Sequence, residues 1–174
     1  MSTLYRFILL FGVLFLLNPV AAKAQQSAKG VQRAYNESLQ NWEKFKDQGI
    51  NSYDYVLVYE GVMSGIQTTH DIKVRNHQVT EVLVRTRDRS GKITNKRRYK
   101  QGELGEVGVP VPTLDEIYDF AKAQVIYRDT EAYHLTFEAT KLGLIKRVGY
   151  TPIGCVDDCF QGYVIQGDIR WVQK

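Results

Sequence analysis

The chain has 174 residues, of which 44% are hydrophobic, 24% charged and 11% aromatic, and it carries a formal net charge of +4. That is the composition of one globular domain. It excludes a collagen-like repeat, a long coiled coil, a polytopic membrane protein and a disordered polymer.

Residues 1–24 have the form of a secretory signal peptide. Arg6 precedes the apolar run from Phe7 to Leu17, and Ala22-Lys23-Ala24 has the small-x-small pattern of a cleavage site. The run meets Asn18-Pro19 before it reaches the ~20 apolar residues that a membrane span needs. Cleavage would leave residues 25–174 as a single exported domain, periplasmic or extracellular, with no stable membrane span. Loss of Arg6 and Lys23 lowers its net charge to +2. No cysteine lies near the cut to carry a lipid. Cys155 and Cys159 are the only cysteines, and outside the cytoplasm they are expected to form a disulfide. Its loop is tiny, so it would rigidify one turn more than the whole fold.

In chain order, residues 27–48 read as an amphipathic helix. Val31, Tyr35, Leu39, Trp42 and Phe45 recur at spacings of four and three and share one stripe. Gly49 stands where a left-handed C-terminal cap is expected. The period then switches to two: in residues 52–60, Tyr53, Tyr55, Leu57 and Tyr59 point one way. Strands are expected at 67–75, 78–87 and 92–100, with Asn76-His77 and Ser90-Gly91 as tight hairpin turns. Residues 101–112 are glycine-rich and irregular. Thr113 and Glu116 form a capping box that opens a second helix, with Leu114, Ile117, Ala121 and Val125 as its apolar stripe. Strands follow at about 132–139, 144–150 and 162–172, and the segment 152–160 holds the cysteine pair.

This order predicts an α+β fold: an antiparallel sheet of about seven strands in two meanders, each preceded by a helix, with the helices packed on one face. Tyr53, Tyr55, Tyr59, Tyr133 and Tyr163 then read first as packing residues, with a binding face as the alternative.

Several short motifs carry a resemblance: Trp42, Ser52-Tyr53-x-Tyr55, Thr113-Leu114-Asp115-Glu116-Ile117 and Gly149-Tyr150-x-Pro152. The chain resembles a group of small exported bacterial proteins, many of them lipoproteins, classed as a domain of unknown function. In that group a Trp precedes a Ser-Tyr-x-Tyr strand, followed by a Thr-Ile-Asp-Glu-Leu-Phe-like helix and a Gly-Tyr-Pro-like strand. The chain departs from it in two ways. It lacks a lipobox, and its cysteines lie in the late turn where many members have a pair after the first strand. The resemblance implies fold and address, and no catalytic residue follows from it.

No motif commits the chain to a reaction. His70, His77 and His134 show no metal-ligand spacing, so exposed strand histidines are the plainer expectation and no metal site or cofactor is assigned. Cys155-Val156-Asp157-Asp158-Cys159 has three intervening residues, two of them anionic, which disfavours a reactive thiolate. Asp157, Asp158 and Asp168 lack the spacing of a calcium loop. Glu60 and Glu138 could serve glycoside hydrolysis only if they faced each other across a cleft. No phosphate-binding, dinucleotide or nucleophile-elbow motif occurs.

Charge is the feature that stands out. Residues 85–100 hold eight cations, Arg85, Arg87, Arg89, Lys92, Lys96, Arg97, Arg98 and Lys100, against Asp88 alone. With a two-residue turn at Ser90-Gly91, Arg89 would oppose Lys92, Arg87 Thr94, Arg85 Lys96 and Leu83 Arg98. Six cations, Arg85, Arg87, Arg89, Lys92, Lys96 and Arg98, would then project from one side as anion-binding candidates. Val82, Val84, Ile93 and Tyr99 would reach toward the core. A solvated face that blunts an edge strand is the plain alternative. Together these features favour a non-enzymatic binding domain for an acidic protein or an anionic envelope component, and not for nucleic acid. A small hydrolase with an unrecognised site and a structural envelope protein remain the other classes.

Overall fold

Ser27 starts the first helix, α1 (Ala28–Asp47), by accepting a hydrogen bond from the Gly30 N–H at 3.1 Å. The computed structural model describes residues 27–61 and 65–172, so the expected signal peptide and its cleavage site lie outside the described residues. Gly49 closes α1 at φ 82°. Its N–H donates to the Lys46 carbonyl at 2.8 Å, and that of Ile50 to Phe45 at 3.2 Å, a paired cap that only a left-handed residue permits. Val31, Tyr35 and Trp42 are buried as the stripe predicts. Ser38 is buried with them, its hydroxyl 2.7 Å from that of Tyr118, while Leu39 and Phe45 pack at the margin of the core.

Four antiparallel strands follow: β1 (Tyr53–Gly61), β2 (Ile66–Arg75), β3 (Gln78–Arg87) and β4 (Ile93–Lys100). Asn76 and His77 take φ 50° and 63°, the double left-handed turn that fits the twist between β2 and β3. A 3-10 helix (Gln101–Val107) leads to α2 (Leu114–Phe120), which runs on into one wider π turn (Ala121–Val125). The Thr113–Glu116 capping box is formed, with the Glu116 carboxylate accepting from the Thr113 N–H at 2.6 Å. β5 (Tyr133–Ala139), β6 (Ile145–Pro152) and β7 (Gln161–Val164) make a second antiparallel sheet.

The α+β class is therefore observed, and the about seven strands expected in two meanders are present in outline, divided between a five-stranded and a three-stranded sheet. The segment expected as a single last strand is two. Residues 161–164 pair with β6; the chain then crosses to the first sheet, where Ile165 bridges Leu57 and the Gln166 N–H donates to Val56 at 2.8 Å. Next, β8 (Arg170–Trp171) pairs with Tyr53 and Asp54, giving the order β4-β3-β2-β1-β8 beside β5-β6-β7. One stretch of chain thus serves as an edge for both sheets, and a single core joins them through Trp42, Tyr53, Tyr55, Leu57, Phe137 and Val148.

The tyrosine face of β1 is covered. Pro110 and Pro112 lack N–H groups, so residues 109–112 cannot complete a ladder as a strand. Their carbonyls are used instead. Tyr59 Oη donates to Pro110 O at 2.9 Å, Tyr55 Oη donates to Pro112 O, and Tyr53 Oη accepts from the Leu114 N–H at 2.9 Å. Burial raises the phenol pKa of all three, that of Tyr59 to about 12, so they remain hydrogen-bonding phenols at neutral pH.

Candidate functional site

β4 is the free edge of the five-stranded sheet, and every residue from Arg89 to Arg98 is exposed. Arg85 opposes Lys96 and Leu83 opposes Arg98, as the hairpin register predicts. The turn differs. The Gly91 N–H donates to Asp88 O at 2.9 Å and that of Asp88 to Lys92 O at 3.0 Å, so the loop is longer than two residues, and a register shift places Arg87 opposite Ile93, not Thr94. Arg89 and Lys92 are accordingly not a strand pair. Asp88 explains the change: its carboxylate accepts from Ser90 Oγ at 2.6 Å, Ser90 N at 2.9 Å and Lys92 N at 3.1 Å, and these bonds, that of the Ser90 hydroxyl above all, lower its pKa. Val82 and Tyr99 are buried and Val84 packs on the core, but Ile93 is 41% exposed.

The six candidate cations divide into two groups. Arg85 pairs with Asp71 at 3.0 Å, and Arg98 with Glu81 at 3.3 Å. Arg97, on the other face, meets Glu106 at 2.8 Å and lies over the Tyr99 ring. Nearer the tip, Arg87 donates to the Gly91 carbonyl at 3.1 Å, and Arg89 lies against Gly65. Among the described residues Lys92 and Lys96 have no carboxylate within ion-pair distance. At the base, Thr69 Oγ1 and Asp71 Oδ2 are buried without hydrogen-bond partners. Each such orphan costs about 1–3 kcal/mol.

The histidines stand apart. His70 is only 2% exposed, which corrects the expectation of an exposed strand histidine; Tyr59 packs on its ring at 4.7 Å, and burial lowers its pKa. His77 sits in the turn with Nδ1 3.9 Å from Asp115 Oδ2, and His134 is exposed. Among the described residues no three His, Cys, Asp or Glu side chains converge to hold a metal ion. The Glu60 side chain is outside the description, and Glu138 is exposed on β5.

A second site went unread in the sequence. Where β7 leaves β1, the two sheets part around a groove of about 830 Å³. Val58, Ile66, Val164 and Ile165 give it apolar walls, Lys146 and Arg147 come from β6, and Asp157 and Asp158 from the disulfide loop. Cys155 and Cys159 are bonded, with Cα atoms 6.3 Å apart. Phe160 follows directly and lies over Gly149, where a Cβ would come within 2.6 Å of the ring. The Arg147 guanidinium stacks on that ring at 4.7 Å, and its Nε is buried without a hydrogen-bond partner. The available signal was slight: Lys146-Arg147 interrupts an otherwise apolar strand, and, two residues on, Gly149 stands opposite another glycine, Gly162.

No helix among the described residues is long and apolar enough to cross a membrane. No family profile, curated protein or solved structure matches the chain.

Proposed function

We propose that this protein is an exported, non-enzymatic binding domain that takes an anionic envelope polymer on its β3–β4 arm. The observation that carries this reading is the pair of ammonium groups at Lys92, just before β4, and Lys96 on it, both exposed and, among the described residues, without an acid partner, beside Arg87 at the same end. The remainder of the expected mature chain is net negative, so the arm is a pole of charge and steers a polyanion to one place. Arg85 and Arg98, paired with Asp71 and Glu81, form the base of the patch. Nucleic acid is disfavoured because the aromatic residue of β4, Tyr99, is buried on the opposite face and offers bases no stacking surface.

The test is retention on an immobilised anionic polysaccharide. The native chain should elute at a salt concentration that falls sharply in the triple variant Arg87→Gln, Lys92→Gln, Lys96→Gln, with its thermal midpoint unchanged. Equal elution of the two proteins would refute the reading.

A further inference from the structure

The groove at the parting of the sheets is a second site, independent of the arm, and Arg147 is its most informative residue. Arg75, Arg85, Arg97 and Arg98 each reach a carboxylate, at 2.6 to 3.3 Å. Among the described residues Arg147 reaches none. Glu138 is its direct cross-strand neighbour on β5, yet no ion pair forms between them among the described residues. What fixes the guanidinium is the face of Phe160, seated on Gly149 next to the disulfide. A planar, always-charged group lying over an aromatic face, with no carboxylate beside it among the described residues, is prepared to take a carboxylate through its terminal nitrogens in the two-pronged manner that lysine cannot reproduce.

The rest of the groove narrows the ligand. Val58, Ile66, Val164 and Ile165 suit apolar side chains, and a volume of about 830 Å³ exceeds what a single amino acid fills. β1 continues to Gly61 beyond Leu57–Ile165, its last bridge on this side among the described residues, and that stretch of edge suits another extended chain. Asp157, on the disulfide loop, would repel a bare anion and attract an ammonium. We infer that the groove binds the C-terminal end of a short apolar peptide, with the terminal carboxylate on Arg147, the main chain along the β1 edge and the free amino group toward Asp157.

Calorimetric titration of the full chain with trileucine and with trileucine amide tests this. Trileucine should bind, and the amide should bind at least about tenfold more weakly, the scale of one charge-assisted contact. Arg147→Gln should weaken trileucine to the level of the amide while leaving the amide unaffected, and Arg147→Lys should fall between. Equal binding of acid and amide to the native protein, or no binding of trileucine at millimolar concentration, overturns the inference. That comparison needs no variant to fold. The arm variant Arg87→Gln, Lys92→Gln, Lys96→Gln should bind trileucine as the native protein does, which keeps the two sites separable.

Discussion

The junction of α1 with α2 and the β3–β4 arm treat charge in opposite ways. At the junction one carboxylate, Asp115, accepts from the Trp42 indole N–H and from Lys46, both at 2.9 Å, one residue after Tyr53 has accepted the Leu114 N–H. Trp42 and Tyr53 are fully buried, with their rings edge to face 5.5 Å apart. The buried indole and phenol each have a partner there, so the residues serve to fix two helices against β1. Along the arm, cations outnumber acids and project from a strand that is almost wholly exposed. Three of the four motifs that carry the resemblance, Trp42, Ser52-Tyr53-x-Tyr55 and Thr113-Leu114-Asp115-Glu116-Ile117, fall in the first region; the fourth, Gly149-Tyr150-x-Pro152, lies on β6. They are accounted for by architecture, and function is to be sought where partners are lacking.

The largest effect expected from that contrast is Trp42→Ala. It removes a fully buried ring and leaves Asp115 without its indole donor, and it should cost about 3–5 kcal/mol, a large part of the stability of a domain this size. Urea unfolding followed by tyrosine fluorescence would measure it, and a loss under about 1 kcal/mol would show that the junction is not what holds the helices. The arm triple variant, by contrast, should stay within about 0.5 kcal/mol of the native protein, as exposed substitutions do.

The same contrast explains what was legible beforehand. Caps and turns are local: Ser27, Gly49, Asn76-His77 and Thr113–Glu116 could be read because each acts on residues within a few positions. The hairpin turn was misread because a side chain, Asp88, competes with the backbone by binding Ser90 and Lys92, and a longer loop results. The split of the last strand depends on which edge of β1 is left free, and the groove on Phe160 finding Gly149 across β6 and β7. Neither is written in periodicity, because both are set by contacts between distant segments. His70 went the same way: alternation places it in a strand, but its burial comes with the packing of Tyr59 on its ring.

His70 also provides an intermediate effect, because it lies in β2 next to Asp71, the anchor of Arg85. Burial lowers its pKa below the ordinary value of 6.5, against the smaller opposing pull of Asp71. As pH falls through 6.5 the unfolded chain takes up the proton first, so stability should fall in that direction, until the folded imidazole also protonates. The slope from one such group is at most about 1.4 kcal/mol per pH unit. Between pH 7.5 and 5.5 the native protein should lose more stability than His70→Gln, whatever constant offset the substitution introduces. Parallel curves would mean that the imidazole is already solvated.

Glu81→Gln should have a small effect on stability and an informative effect on binding. Glu81 holds Lys73 at 2.9 Å and Arg98 at 3.3 Å, and the Lys73 hydrogen bond is the main cause of its lowered pKa. Both cations are substantially exposed, so loss of the two pairs should cost no more than about 1 kcal/mol. The substitution removes the carboxylate that pairs with Arg98 among the described residues and leaves its guanidinium to an incoming anion. If the arm is the polyanion site, Glu81→Gln should elute from the anionic column at higher salt than the native chain, opposite in sign to the triple variant. A variant that weakens structure slightly and tightens binding is hard to attribute to misfolding. Elution at equal or lower salt would mean that Glu81 positions Arg98 rather than competing for it, and the patch would then end at Lys92 and Lys96.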